Sequence, residues 1–139
     1  MQTGWSFGNE VVMESPLQIN QRTAANVVIL DVSGRLVFSG GEESLLRNEV
    51  AALIGAGERK LLVDLSNVTY IDSGGVGSLV TAYLHTIRRG GQLKVVCPND
   101  RVCRVLQITH LTSVLDVFEN ETQALTSFDS PGVPNAVRS

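Results

Sequence analysis

The chain has 139 residues, 43% of them hydrophobic and 18% charged, which suits one globular domain able to bury a core. A formal net charge of −3, with no dense cluster of Lys and Arg, argues against direct nucleic-acid binding. No apolar run approaches the roughly 18 residues needed to cross a bilayer, and the N-terminus lacks a basic segment followed by an apolar one, so a cytoplasmic protein with no membrane partner is expected.

Residues 1–16 carry Trp5, Phe7, Val11, Val12 and Met13 without periodicity and read as an N-terminal arm or edge strand. Residues 17–22 and 26–33 predict two strands that pair as a hairpin across Thr23-Ala24-Ala25, with Val27, Val28 and Ile29 supplying β-branched character. Residues 42–56 place Leu46, Val50, Leu53 and Ile54 at helical spacing, and Ser39 with Glu42 fits a capping box at the start of that helix. Residues 61–65 form a nearly continuous apolar run, as in a central strand.

After Tyr70-Ile71, Val76, Leu79, Val80, Tyr83, Leu84 and Ile87 recur at helical spacing, and Gly90-Gly91 ends this second helix. A strand at 93–97, a turn and cap at Pro98-Asn99-Asp100 and a third helix at 102–109 follow. An edge strand at 114–118, a short helix at 121–128 and a flexible, turn-rich tail at 129–139 complete the chain. This order predicts an α/β domain over residues 17–128, with a four- to five-stranded mixed sheet and helices mainly on one face.

Cys97 and Cys103 are too few for a disulfide scaffold and lack the spacing and histidine company of a zinc site. They are expected as buried or half-buried free thiols of a reducing compartment. No metal or cofactor site is expected.

The densest chemistry lies in Tyr70-Ile71-Asp72-Ser73-Gly74-Gly75-Val76-Gly77, where a strand gives way to an acid, a serine and three glycines before the second helix. A serine there stands at the positive end of a helix dipole, where first-turn N–H groups favour an anion. Plain helix capping by Asp72 or Ser73 accounts for the same residues without any ligand. The glycines match neither the dinucleotide fingerprint nor the P-loop, which needs a lysine absent here.

The run from Leu61 through Gly77 resembles the strand, linker and Asp-Ser-(Ser/Thr)-Gly-Leu-Gly signature of STAS domains. Gly90-Gly91-Gln92-Leu93-Lys94-Val95-Val96 is similar to that family's glycine pair and following strand, and Val102 to Leu111 to its next helix and turn. The resemblance implies a stand-alone anti-sigma factor antagonist. Such a protein, when unphosphorylated, binds an anti-sigma factor that is often itself a serine kinase, and thereby frees a sigma factor. Carried onto this chain, the phosphorylated serine is Ser73, a serine phosphatase reverses the mark, and the chain itself has no catalytic residue. The expected partner surface is Asp72, Ser73, Gly74, Gly75 and Val76 with Phe38 and Ser39, on a monomer or weak dimer.

Two positions depart from the family pattern. Gly74 replaces its second hydroxyl residue, and Gly34-Arg35-Leu36-Val37 lacks the two acids common near the end of its second strand. Arg35 thereby becomes a candidate neighbour of a phosphate on Ser73. The departures also keep a second reading open, a non-enzymatic STAS scaffold or sensory module in a signalling or lipid-transport complex.

Two enzymatic readings fare worse. A serine hydrolase lacks the Gly-x-Ser-x-Gly elbow, and its only candidate bases are His85, about three turns down the helix, and His110 in a turn. An aspartyl-phosphate receiver centred on Asp64 lacks the acid pair after the first strand.

Overall fold

The computed structural model describes residues 17–37, 43–98 and 100–128. Five strands form one sheet in the order of the chain: β1 (Gln18–Ala24), β2 (Val27–Leu36), β3 (Lys60–Ile71), β4 (Gln92–Val96) and β5 (Asp116–Phe118). β1 runs antiparallel to β2, and all later neighbours are parallel. The parallel crossovers are α1 (Glu43–Gly55), α2 (Ser73–Arg88) and α3 (Asp100–Ile108), with a 3-10 turn at Leu111–Ser113, and α4 (Glu121–Phe128) closes the described chain.

The hairpin is tighter than the sequence suggests. β1 continues to Ala24, and Ala25 and Asn26 turn the chain with φ of 53° and 66°. Two successive left-handed residues match the twist of the flanking strands, as in a type I′ turn. Asn favours that conformation, but Ala does not, which is why composition placed the turn one residue early.

β3 is one strand through Ile71, although the sequence reading split it after Leu65. Polar Ser66, Asn67 and Thr69 are exposed positions within it rather than a break. β4 pairs with β3 only as far as Asp64, and beyond that point β3 is held by β2 through the partners Asn67, Val68, Tyr70 and Ile71.

Alternation along the strands divides the core between two faces. Leu30, Val32 and Leu36 of β2 and Leu61, Val63 and Leu65 of β3 meet Leu46, Val50 and Ile54 of α1, Val76 and Leu79 of α2, and Val102 and Leu106 of α3. On the other face Val27, Ile29, Leu62 and Val96 are covered by Ala124 and Phe128 of α4. Helices therefore lie mainly on one face, with α4 alone on the reverse among the described residues.

The cysteine expectation is corrected. Cys97, just past β4, and Cys103, inside α3, are joined in a disulfide with their Cα atoms 5.8 Å apart. The turn into α3 sets two residues six apart at a bridging distance, a consequence of tertiary placement that spacing alone does not reveal. Residues 1–16, Phe38, the Ser39/Glu42 capping box, Asn99 and 129–139 lie outside the described residues. No helix is long and apolar enough to cross a membrane among those described.

Candidate functional site

The site forms where β3 hands the chain to α2. Asp72 has extended backbone geometry (φ −119°, ψ −174°) and is the N-cap of α2. Its Oδ1 accepts from the backbone N–H of Gly75 at 2.9 Å, and its carbonyl accepts the first helical bond from Val76 at 2.9 Å. The Asp72 N–H donates to the carbonyl of Leu36 at 3.3 Å, tying the junction to the end of β2. One side chain thus satisfies one of the donors that a helix start leaves unpaired.

Ser73 follows as the first residue of α2 and is exposed. Its N–H and that of Gly74 stand in the first turn, where a helix supplies no acceptor of its own. Gly75 is buried, and a Cβ added there would collide with the Leu36 carbonyl, so the close approach of α2 to β2 requires glycine. Ser78 donates its hydroxyl to the Gly75 carbonyl at 2.7 Å and stiffens the same turn from within. Val76 is 7% exposed and packs in the core.

The predicted surface therefore sorts into layers. Ser73 is outermost, Asp72 and Gly74 are half-buried beside it, and Gly75 and Val76 support it from beneath. Phe38 and Ser39 lie outside the described residues. The contribution of the Leu36 carbonyl, reached from a different strand, had no signal in the sequence.

Arg35 is directed elsewhere. It pairs in register with Tyr70, and its guanidinium lies 5.1 Å from the Tyr70 ring centroid. Because Leu36 and Ile71 face the core under α1 and α2, Arg35 and Tyr70 occupy the reverse face of the sheet. Asp64 also belongs to that face. Its Oδ1 accepts from Ser66 N at 2.9 Å and from the Ser66 hydroxyl, and Arg22 lies 3.8 Å from its other oxygen.

Arg22 is bound more closely to Glu121 and to Asp31, whose hydrogen bonds raise its pKa above the ordinary arginine value. These charges organise the face under α4. His85 lies far along α2, and His110 adopts a left-handed conformation (φ 61°) between α3 and the 3-10 turn.

The apolar pattern that announced α2 is divided by the fold. Leu79 is fully buried and Val76 nearly so, while Leu84 and Ile87 are 40% and 44% exposed. Periodicity marked the helix correctly but could not say which apolar residues the sheet would take.

The sequence profile described as "STAS domain" matches residues 18–124, a stretch that contains the whole sheet and the Asp72-Ser73 junction. The chain belongs to the STAS domain family. Within that family the chain is 26% identical over 113 residues to an anti-sigma F factor antagonist of Paenibacillus polymyxa, covering 81% of this chain and 96% of that one. It is likewise 26% identical over 102 residues to an anti-sigma-B factor antagonist of Bacillus subtilis, covering 73% and 90%. Among solved structures, an anti-sigma factor antagonist from Mycobacterium paratuberculosis superposes with a TM-score of 0.72 at 21% identity, over 83% of this chain and 97% of that chain. The five-stranded mixed sheet with its helices is the STAS fold.

Proposed function

We propose that this STAS protein is an anti-sigma factor antagonist switched by phosphorylation of Ser73. Unphosphorylated, it binds an anti-sigma factor that is also a serine kinase, and a sigma factor is freed. A kinase-added phosphate on Ser73 ends that binding, and a serine phosphatase restores it. The observation that carries the reading is the exposure of the Ser73 side chain at the start of α2, on a junction whose own hydrogen bonds do not use that hydroxyl among the described bonds.

The local physics supports a switch without refolding. Phosphate adds a charge of about −1.5 to −2 and three strong acceptors, and the N-terminal dipole of α2 tolerates it in the free protein. Against a partner surface shaped for a hydroxyl, the same charge is buried next to the Asp72 carboxylate. Misplaced charge at an interface costs about 2–5 kcal/mol, and each 1.4 kcal/mol is about tenfold in affinity. In this role the chain is a substrate of the kinase and carries out no chemistry itself.

The test is capture from a lysate of the native cell on wild-type, Ser73→Ala and Ser73→Asp baits, with mass spectrometry of bound proteins and of residue 73. A kinase-type anti-sigma factor held by wild type and Ser73→Ala, and weakened by about a hundredfold or more on Ser73→Asp, supports the switch. The same proteins on all three baits, with Ser73 never modified, would turn the assignment to a scaffold.

A further inference from the structure

α2 carries an exposed stripe that the core does not use. Ser73, Gly77, Val80, Leu84 and Ile87 follow one another at spacings of four, three, four and three residues, which places them on one line along the helix. Leu79, Ala82 and Thr86 on the opposite side are buried against the sheet. Ser73 and Gly77 are exposed, Val80 is half-buried, and Leu84 and Ile87 are 40% and 44% exposed. The line is small at its N-terminal end and large at its C-terminal end.

Gly77 adds an independent clue. Gly75 is forced to be glycine by the Leu36 carbonyl, but a Cβ on Gly77 would meet nothing within 4 Å. A glycine within a helix weakens it relative to alanine, and no described residue requires the gap. It leaves room for a close approach from outside the described residues.

We propose that α2 is the self-association face of this protein, on which a second copy docks its own α2 antiparallel across a two-fold axis at Val80. The stripe is complementary to its own reverse. Val80 faces Val80 of the second copy, Gly77 receives Leu84 of the second copy, and Ser73 receives Ile87 of the second copy. The 3.5-residue mean spacing suits helices crossing at about 20°, and the seam from 73 to 87 is about 21 Å long.

Charge follows the same symmetry. Asp72 and Arg88 are equidistant from Val80 in sequence, so the acid at each helix start lies across from Arg88 of the second copy, with exposed Arg89 beside it. Antiparallel helices also set opposite dipole ends side by side. A seam of one helix pair falls below the roughly 1,200 Å² of a standard interface, so the dimer is weak and depends on concentration.

The dimer covers Ser73. If the proposed switch operates, the kinase-type partner takes the free monomer, so self-association and partner binding compete for the same face. The seam itself does not rest on that reading, and the following test is blind to phosphorylation.

Sedimentation equilibrium of the full chain, from low micromolar to about 1 mM, is expected to show monomer passing to dimer, with the dimer lost in Leu84→Glu and in Arg88→Glu. In a Cys97→Ala/Cys103→Ala background, Val80→Cys should oxidise to a covalent dimer at least tenfold faster than Gln123→Cys on α4. Leu84→Glu should abolish that advantage. Gly77→Ala should raise the melting temperature of the dilute monomer while weakening the dimer. A wild-type chain that remains monomeric throughout, or a dimer that Leu84→Glu leaves intact, overturns the proposal and leaves the stripe to some other partner.

Discussion

Under α4, the Lys94 ammonium is 2.7 Å from Asp116 Oδ2, beneath the rings of Phe118 and Phe128, in a residue only 4% exposed. At the start of α2 the half-buried Asp72 carboxylate accepts from a backbone N–H, that of Gly75. The first arrangement fixes two formal charges in place and joins β4 to β5. The second leaves the adjacent Ser73 hydroxyl outside the described bonds, so a charge placed there would leave the bonds of the strand-to-helix junction intact. Charge is structural in one region and, under the proposed switch, adjustable in the other, and substitutions can test each half of that contrast.

The largest effect is expected from breaking the buried pair. Asp116→Ala strands the Lys94 ammonium under two aromatic rings and should cost about 3–5 kcal/mol in urea unfolding. Lys94→Met with Asp116→Leu removes both charges and should return the protein to within about 1 kcal/mol of wild type, because the pair's attraction is largely spent on its own desolvation. If Asp116→Ala alone were nearly neutral, Lys94 would have to be reaching water, and the contrast between the two regions would be lost.

The next effect comes from the two glycines of α2. Gly75→Ala drives a methyl group toward the Leu36 carbonyl and should destabilise by about 1–3 kcal/mol, as overpacking does. Gly77→Ala meets open space and should stabilise the dilute protein by up to about 1 kcal/mol. Thermal unfolding of the two variants side by side measures how tightly α2 is pinned to β2 at the site. Equal effects would mean that the end of β2 yields, and that the junction is less rigid than its hydrogen bonds imply.

Much of this architecture was legible beforehand because periodicity reports burial. The apolar runs at 61–65 and 93–97 and the helical spacing after Val76 located β3, β4 and α2, and the change from strand to acid, serine and glycines located the junction. Three things were not legible, each for a physical reason. The continuation of β3 through Ser66 and Asn67 depends on β2 supplying hydrogen bonds after β4 has ended. The Cys97–Cys103 bridge depends on how the turn places α3. The need for glycine at 75 comes from a carbonyl 39 positions earlier in the chain, and no local pattern encodes such a contact.

The smallest expected effect separates the two roles of Asp72, the cap and the charge beside Ser73. Asp72→Ala removes the acceptor for Gly75 N–H and should cost about 1 kcal/mol, whereas Asp72→Asn keeps a capping oxygen and should cost only a few tenths. Stability therefore distinguishes Ala from Asn but is almost silent about charge. If the Asp72 carboxylate contributes to the repulsion that ends binding, Asp72→Asn should soften the penalty of Ser73→Asp in partner capture while leaving the melting temperature nearly unchanged. If Asn and Asp give the same penalty, the added charge at residue 73 acts alone, and Asp72 matters at this site only by starting the helix.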